Sequence, residues 1–262
     1  MSEVSKLDTP QLRIFPASRS FSNAAMVSAS SAANRLPGSF GALTPCQVAI
    51  IASGSFTNEE LFLARRLADA LGTTLIDIIP HNSTGDKILL SADRNANTAG
   101  ARLMGVTGGV PGSRLGLISS GLRNKTVKAL IVLGEDATTV LGEEIANAQL
   151  ILAMNLLPNG TTKLAHFVLP SSGFAEKRGS MINKNGRLQR LNRAIQPPGA
   201  ARDDWEIVRD LLQGVSGENG IYMIEDVFKQ IATAIPAMAG LSLSKIGDLG
   251  VQLQIESQAP TT

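Results

Sequence analysis

Gln47-Val-Ala-Ile-Ile-Ala-Ser-Gly-Ser-Phe-Thr-Asn-Glu-Glu-Leu61 is the stretch from which the fold class follows. A short apolar run rich in β-branched residues, halted at Ser53-Gly54, has the pattern of a strand buried on both faces. Thr57 with Glu60 three residues on forms a capping box, in which the hydroxyl accepts from the Glu60 amide and the carboxylate reaches back, so a helix begins here. Leu61, Ala64, Ala68 and Leu71 then recur at helical spacing, and Gly72 stands where a left-handed cap ends the helix. Thr74-Leu-Ile-Asp-Ile-Ile79, closed by Pro80, is the next strand. Strand, helix and strand in this order open a parallel α/β unit.

Outward from this unit the alternation continues. A loop through Gly85, Asp86, Asp93, Asn95 and Asn97 leads to the glycine-rich Gly105-Val-Thr-Gly-Gly-Val-Pro-Gly112. A short helix is expected near Leu115 to Leu122, a strand at Ala129-Leu-Ile-Val-Leu133, a helix from about Thr139 to Asn147, and strands at Leu150 to Met154 and Phe167 to Leu169. Residues 46–170 therefore read as α/β, a Rossmann-like, mostly parallel sheet with helices on both faces. Residues 171–262 read as a basic loop plus helices completing a second domain. One helix starts at Asp203 with an apolar stripe of Trp205, Val208, Leu212 and Val215. Another carries Ile224, Val227, Phe228, Ile231 and Ile235 and stops at Pro236. With little sheet to pack on, these helices are expected to need another part of a larger protein. Residues 1–45, rich in Ser, Ala, Pro and Gly without sustained period, read as an extended or disordered arm.

Composition narrows the function classes. The 262 residues include one cysteine, one tryptophan and one tyrosine. Cys46 alone excludes an intramolecular disulfide, a cysteine-ligated zinc site and an iron–sulfur cluster ligated wholly by these residues. It reads as a small apolar residue at the start of the first strand. The longest apolar runs fall well short of the ~20 residues that cross a bilayer, so no direct membrane insertion is expected.

The formal net charge is only +2. Between Ser171 and Arg202, however, seven cations (Lys177, Arg178, Lys184, Arg187, Arg190, Arg193 and Arg202) stand against Glu176 alone, a local charge of +6 that leaves the remainder acidic. Such a stretch serves a phosphate-bearing ligand, an acidic partner surface, or a solvated loop face. Nothing in it points to nucleic acid.

Residue patterns for catalysis are sparse. Gly105 to Gly112 lacks both the dinucleotide fingerprint and the Lys-Ser/Thr of a phosphate-binding loop, and reads as a plain loop. His81 and His166 have no second His or Cys at ligand spacing and read as turn or surface residues. Ser53-Gly-Ser55 and Ser171-Ser-Gly173 follow strands, where α/β crevices open, but no nucleophile elbow exists. Asp86 with Asp93, or Glu135 with Asp136, are spaced to pair as acid and base; loop solvation and capping account for them as well.

Several segments in a fixed order resemble a known family. Thr161-Thr-Lys-Leu-Ala-His-Phe-Val-Leu-Pro170, Glu176-Lys-Arg-Gly179, Asn183-Lys-Asn-Gly-Arg-Leu-Gln189 and Pro197-Pro-Gly-Ala-Ala-Arg-Asp-Asp-Trp205 are similar to the signature block of the molybdopterin oxidoreductase family. Within it they are most like the C-terminal portion of the large G subunit of NADH-quinone oxidoreductase, respiratory complex I. Thr57-Asn-Glu-Glu-Leu61, Asp93-Arg-Asn-Ala-Asn-Thr-Ala-Gly100, Leu133-Gly-Glu-Asp136 and Ile235-Pro-Ala-Met-Ala-Gly-Leu241 extend the resemblance over about residues 46–252. Two positions depart from it: His166 stands where the family usually has Asp, and Ala137 follows Asp136 where catalytic relatives have Asn-Pro at a pterin-contacting turn.

The resemblance carries the following expectations. In catalytic members the Glu-x-x-Gly and Asn-x-x-Gly-Arg segments lie against a buried pterin, which makes Glu176, Gly179, Asn183, Gly186, Arg187 and Gln189 the candidate cofactor-contacting residues. The family's cluster-binding cysteines, molybdenum ligand and C-terminal barrel have no counterpart here, so no catalytic residue, metal or cofactor is expected in this chain. Iron–sulfur clusters are expected in partner chains of a multi-subunit respiratory complex. The motif is then expected to serve folding and subunit packing, with Glu176 and Arg187 pairing with each other. The implied role is a non-catalytic structural portion of a complex I-type peripheral arm, held through partners at the cytoplasmic side of the inner (plasma) membrane. The alternatives are a fragment or subunit of a molybdopterin-dependent formate dehydrogenase, and a freestanding α/β ligand-binding module.

Overall fold

A computed structural model describes residues 47–86 and 88–255. The expectations for residues 1–45 and for Cys46 lie outside the described residues.

Five parallel strands form the main sheet in the order β2-β1-β3-β4-β5: β1 Val48–Ala52, β2 Ile76–Ile78, β3 Ala129–Leu133, β4 Leu150–Asn155 and β5 Phe167–Pro170. The α/β fold read from the sequence is the fold observed. Alternate side chains of β1, β3 and β4 enter separate cores, as the period of two requires. Val48, Ile50 and Ala52 of β1 join Ile131 and Leu133 of β3 on one face, whereas Ala49 and Ile51 join Leu130 and Val132 on the other.

The first face is covered by α1 (Asn58–Ala70) and the short α2 (Thr98–Leu103). The second is covered by α3 (Leu115–Arg123), α4 (Thr138–Leu141) and the 3-10 turns that follow, through Ile118, Leu122, Leu141 and Ile145. The capping box of α1 is present, with the Glu60 amide donating to Thr57 Oγ1 and the Thr57 amide donating to Glu60 Oε2. The single helix expected from Thr139 to Asn147 is instead α4 followed by a 3-10 segment, Gly142–Asn147. Gly142, at φ +57°, breaks the α-helical ladder between them.

The basic segment is not a loop throughout. Gly179–Ile182 (β6) and Arg187–Leu191 (β7) form an antiparallel hairpin, and Val251–Gln252 (β8) pairs with β7. Asn183 makes the turn: its Oδ1 accepts from the amides of Asn185 and Arg187, and Gly186 takes φ +77°. The signal lay in the sequence, as a four-residue Asn-to-Gly connection between two short segments, the pattern of a hairpin with a longer turn.

The helices of the later part find their partner inside the chain, contrary to the expectation that another protein part would be needed. In α6 (Asp204–Ser216), Trp205, Val208 and Leu212 are buried. In α7 (Ile224–Ala234), so are Ile224, Val227, Phe228 and Ile231. All belong to the apolar cluster that holds Leu63 and Leu67 of α1 and the first face of the sheet. A helix, not a sheet, receives them.

Candidate functional site

The hairpin seats on the start of α1 through a polar layer from which water is excluded. Glu59 is fully buried, its Oε2 accepting from the Ser180 amide at 2.8 Å and its Oε1 from the Ser180 hydroxyl at 2.9 Å. Asn58 Nδ2 donates to the same hydroxyl, and Asn97, held by Phe56 O and Asn58, accepts from the Ile182 amide. Gly179 belongs to this contact. A Cβ there would lie 2.6 Å from Thr57 Cγ2 and 2.8 Å from Glu59 Oε2, so its lack of a side chain lets the hairpin close on the helix.

Beside this layer Lys177 is 5% exposed. Its ammonium lies 2.8 Å from Asp204 Oδ2 and 3.1 Å from Glu60 Oε2, and 5.0 Å from the centre of the Phe56 ring. Asp204 Oδ1 accepts from Ser171 Oγ and from the Ser172 amide. One cation thus ties the start of α1, the segment after β5 and the start of α6. Burial works against the ammonium, yet the attraction of Glu60 and Asp204 outweighs it and holds Lys177 well above the ordinary lysine range. Burial also pushes Glu59 up to about 7 against the bonds from Ser180. Glu60 moves the same way, because desolvation and the neighbouring Asp204 together exceed the pull of Lys177. The Oε1 of Glu60 and the Oγ of Ser172 are buried without a hydrogen-bond partner among the described residues.

A second polar cluster caps the carboxyl ends of the parallel strands. Asp136, after β3, accepts from Thr138, from Gly160 and from both the amide and the hydroxyl of Thr161, at the start of α5 (Gly160–Leu164). Partial burial raises its pKa, but these bonds prevail and hold it below the usual carboxylate range. Glu135, buried, meets the half-exposed His81 at 2.9 Å. His166 accepts from the Ile151 amide through Nδ1. Asp86 caps the amides of Ile88, Leu89 and Leu90, and Asp93 that of Asn95. Asp86, Asp93 and Asp136 are therefore caps, and only Glu135 meets a titratable partner.

The motif residues are placed as follows. Glu176 accepts from the Gly173 amide at 2.7 Å. Arg187 donates to the Leu249 carbonyl at 3.0 Å. They do not pair with each other: Glu176 precedes β6 at the open end of the hairpin, Arg187 opens β7 beside the turn, and each has a backbone partner. Asn183 is spent on the turn, Gly186 packs toward Ile255 and Gln252, and Gln189 lies within reach of Asn183 Nδ2 at 3.5 Å. Glu176, Asn183, Arg187 and Asp136 all direct their polar groups into the chain itself. Their hydrogen bonds join segments of the chain.

The residues that sequence reasoning missed are Lys177, Glu59, Glu60 and Asp204. Lys177 counted there as one cation in a basic run. Its partners lie 117 and 27 residues away, so nothing local marked it as buried. The +6 of that run is largely answered by carboxylates beyond it: Arg178 by Glu225, Arg193 by Asp203, and Arg202 by Glu206 and Asp210.

Residues 90–213 match the model of the molybdopterin oxidoreductase family, a span that takes in β3 to β7, Lys177 and Asp204. The chain is 37% identical over 136 residues to the alpha subunit of NADPH-Fe(3+) oxidoreductase from Geobacter sulfurreducens, covering 50% of this chain and 16% of that protein. It is 31% identical over 149 residues to the alpha subunit of F420-dependent formate dehydrogenase 2 from Methanococcus maripaludis, covering 53% of this chain and 22% of that one. It thus spans less than a quarter of the length of either relative. Among solved structures, acetylene hydratase from Pelobacter acetylenicus aligns with a TM-score of 0.38 at 17% identity, over 44% of this chain and 18% of that chain.

Proposed function

From a chain that carries a molybdopterin oxidoreductase domain over residues 90–213, we propose a structural portion of the large, alpha-type subunit of a molybdopterin-family oxidoreductase of the formate dehydrogenase kind. The observation that carries this reading is the identity to two alpha subunits, one of them a formate dehydrogenase. It takes precedence over the complex I G-subunit reading because neither relative is described as such a subunit.

Two features of the chain support a structural role for this portion. Its 262 residues offer one cysteine, which cannot ligate a cluster alone. The polar groups of its family motif are engaged with the chain's own backbone, where they fix the hairpin. In this reading the redox centres, iron–sulfur clusters among them, belong to other parts of the assembly. Among the described residues no helix is long and apolar enough to cross a membrane.

Affinity purification of the tagged protein from its source tests the proposal. The expected result is a complex containing iron–sulfur and molybdopterin centres that reduces an acceptor with formate. A complex that oxidises only NADH with quinone would restore the complex I reading, and a chain without partners would favour the freestanding module.

A further inference from the structure

Between the β6–β7 hairpin and α7 lies a groove of about 530 Å³, bordered also by the Gly240–Ser244 turn. Of the candidate cofactor-contacting residues, only Gly179 borders it. Its floor is apolar: Phe228, 1% exposed, and Leu243, 6% exposed, are fixed in the core below and do not fold outward to fill it.

The rim is cationic. Arg178, Arg190 and Lys229 line it against Glu225 alone. Arg178 is engaged by Glu225 at 2.6 Å. Arg190 reaches only Asp248, at 3.4 Å, and that carboxylate is 94% exposed, a geometry in which an ion pair is worth little. The Lys229 ammonium donates no hydrogen bond to a described residue and has only the electrostatic company of Asp226, on its own helix. Two cationic heads therefore face the groove without a strong partner. Ser242 and Ser244, whose hydroxyls bond each other at 3.0 Å, also line it and can turn to a third acceptor.

We infer that this groove binds a small organic anion, with an apolar body against Phe228 and Leu243 and a phosphate or carboxylate held between Arg190 and Lys229. The volume is that of a small-molecule site, with apolar residues for a ligand's body and polar ones to orient its charged end. Arg190 supplies a fork suited to paired oxygens, and Lys229 a point charge. The basic run noted in the sequence meets α7 here through Arg178 and Arg190.

Calorimetric titration of the full chain with phenyl phosphate, benzoate and inorganic phosphate tests the inference. Phenyl phosphate or benzoate should bind at least tenfold more tightly than inorganic phosphate, and the stronger of the two identifies the anionic group. Arg190→Gln with Lys229→Gln should weaken that binding tenfold or more. Ala232→Trp, which fills the groove without altering its charge, should abolish it. Absence of binding to the unaltered protein, equal affinity for inorganic phosphate, or affinity unchanged in either variant would overturn the inference. Exposed side chains carry the charge change, so folding of the double variant is checked by circular dichroism, and Ala232→Trp decides independently.

Discussion

At the scale of single residues, Lys177 holds more of the structure than Glu176 or Arg187. Among the described residues its ammonium is the one cation paired with both Glu60 and Asp204, and removing it leaves two buried carboxylates without that counter-ion. Lys177→Met should therefore cost about 3–5 kcal/mol, the range for breaking a buried pair from one side, read as a lower urea midpoint. Glu59 makes the opposite kind of prediction. Its pKa rises from 4.5 to about 7 on folding, so the folded state binds the proton more tightly than the unfolded one. The stability that it contributes is complete below pH 4.5 and is lost as pH rises through about 7. Each unit of such a shift is worth about 1.4 kcal/mol. Glu59→Gln, which keeps a neutral amide at Ser180, should flatten the fall in unfolding free energy between pH 5 and pH 8; an unchanged slope in urea titrations at both pH values would refute the assignment.

At the scale of elements, the hairpin and α1 depend on each other through a contact that tolerates no side chain. Gly179→Ala would place a methyl group 2.6 Å from Thr57, in backbone-proximal atoms that cannot swing aside. A loss of about 1–3 kcal/mol is expected, as for overpacked sites, and amide exchange should quicken in both β6 and the first turn of α1. This dependence also explains which elements could be read from the sequence. β1, β3 and β4 are legible because burial on both faces makes them continuous apolar runs, and α1 because its capping box is local. The hairpin is half solvent-facing, so Arg187, Gln189 and Arg190 interrupt its apolar pattern, and β8 is two residues long with meaning only through its partner β7. The polar layer was illegible for a related reason: Glu59 and Glu60 announce a helix start, whereas their burial comes from Ser180 and Lys177, more than a hundred residues on.

At the scale of the molecule, the boundary read after Pro170 becomes a question of cooperativity. One apolar cluster runs from β1 and β3 through α1 into α6 and α7, and the Lys177 bridge crosses the same boundary. Segments that share a core in this way unfold together, because neither can expose its half without exposing the other's. Trp205, the only tryptophan, sits in α6 beyond the boundary, while much of the helix and parallel strand lies before it. Denaturation followed by tryptophan fluorescence and by far-ultraviolet circular dichroism should then give coincident transitions. Phe228→Ala, in α7, should lower both midpoints together, at a cost of about 3–5 kcal/mol for a buried aromatic residue. If only the fluorescence transition moved, residues 171–255 would be an independent unit and the shared core would not be what couples them. Coincidence would mean that α6 and α7 complete the first face of the sheet, and that the hairpin segment before α6, with Lys177, joins the two parts into one folding unit.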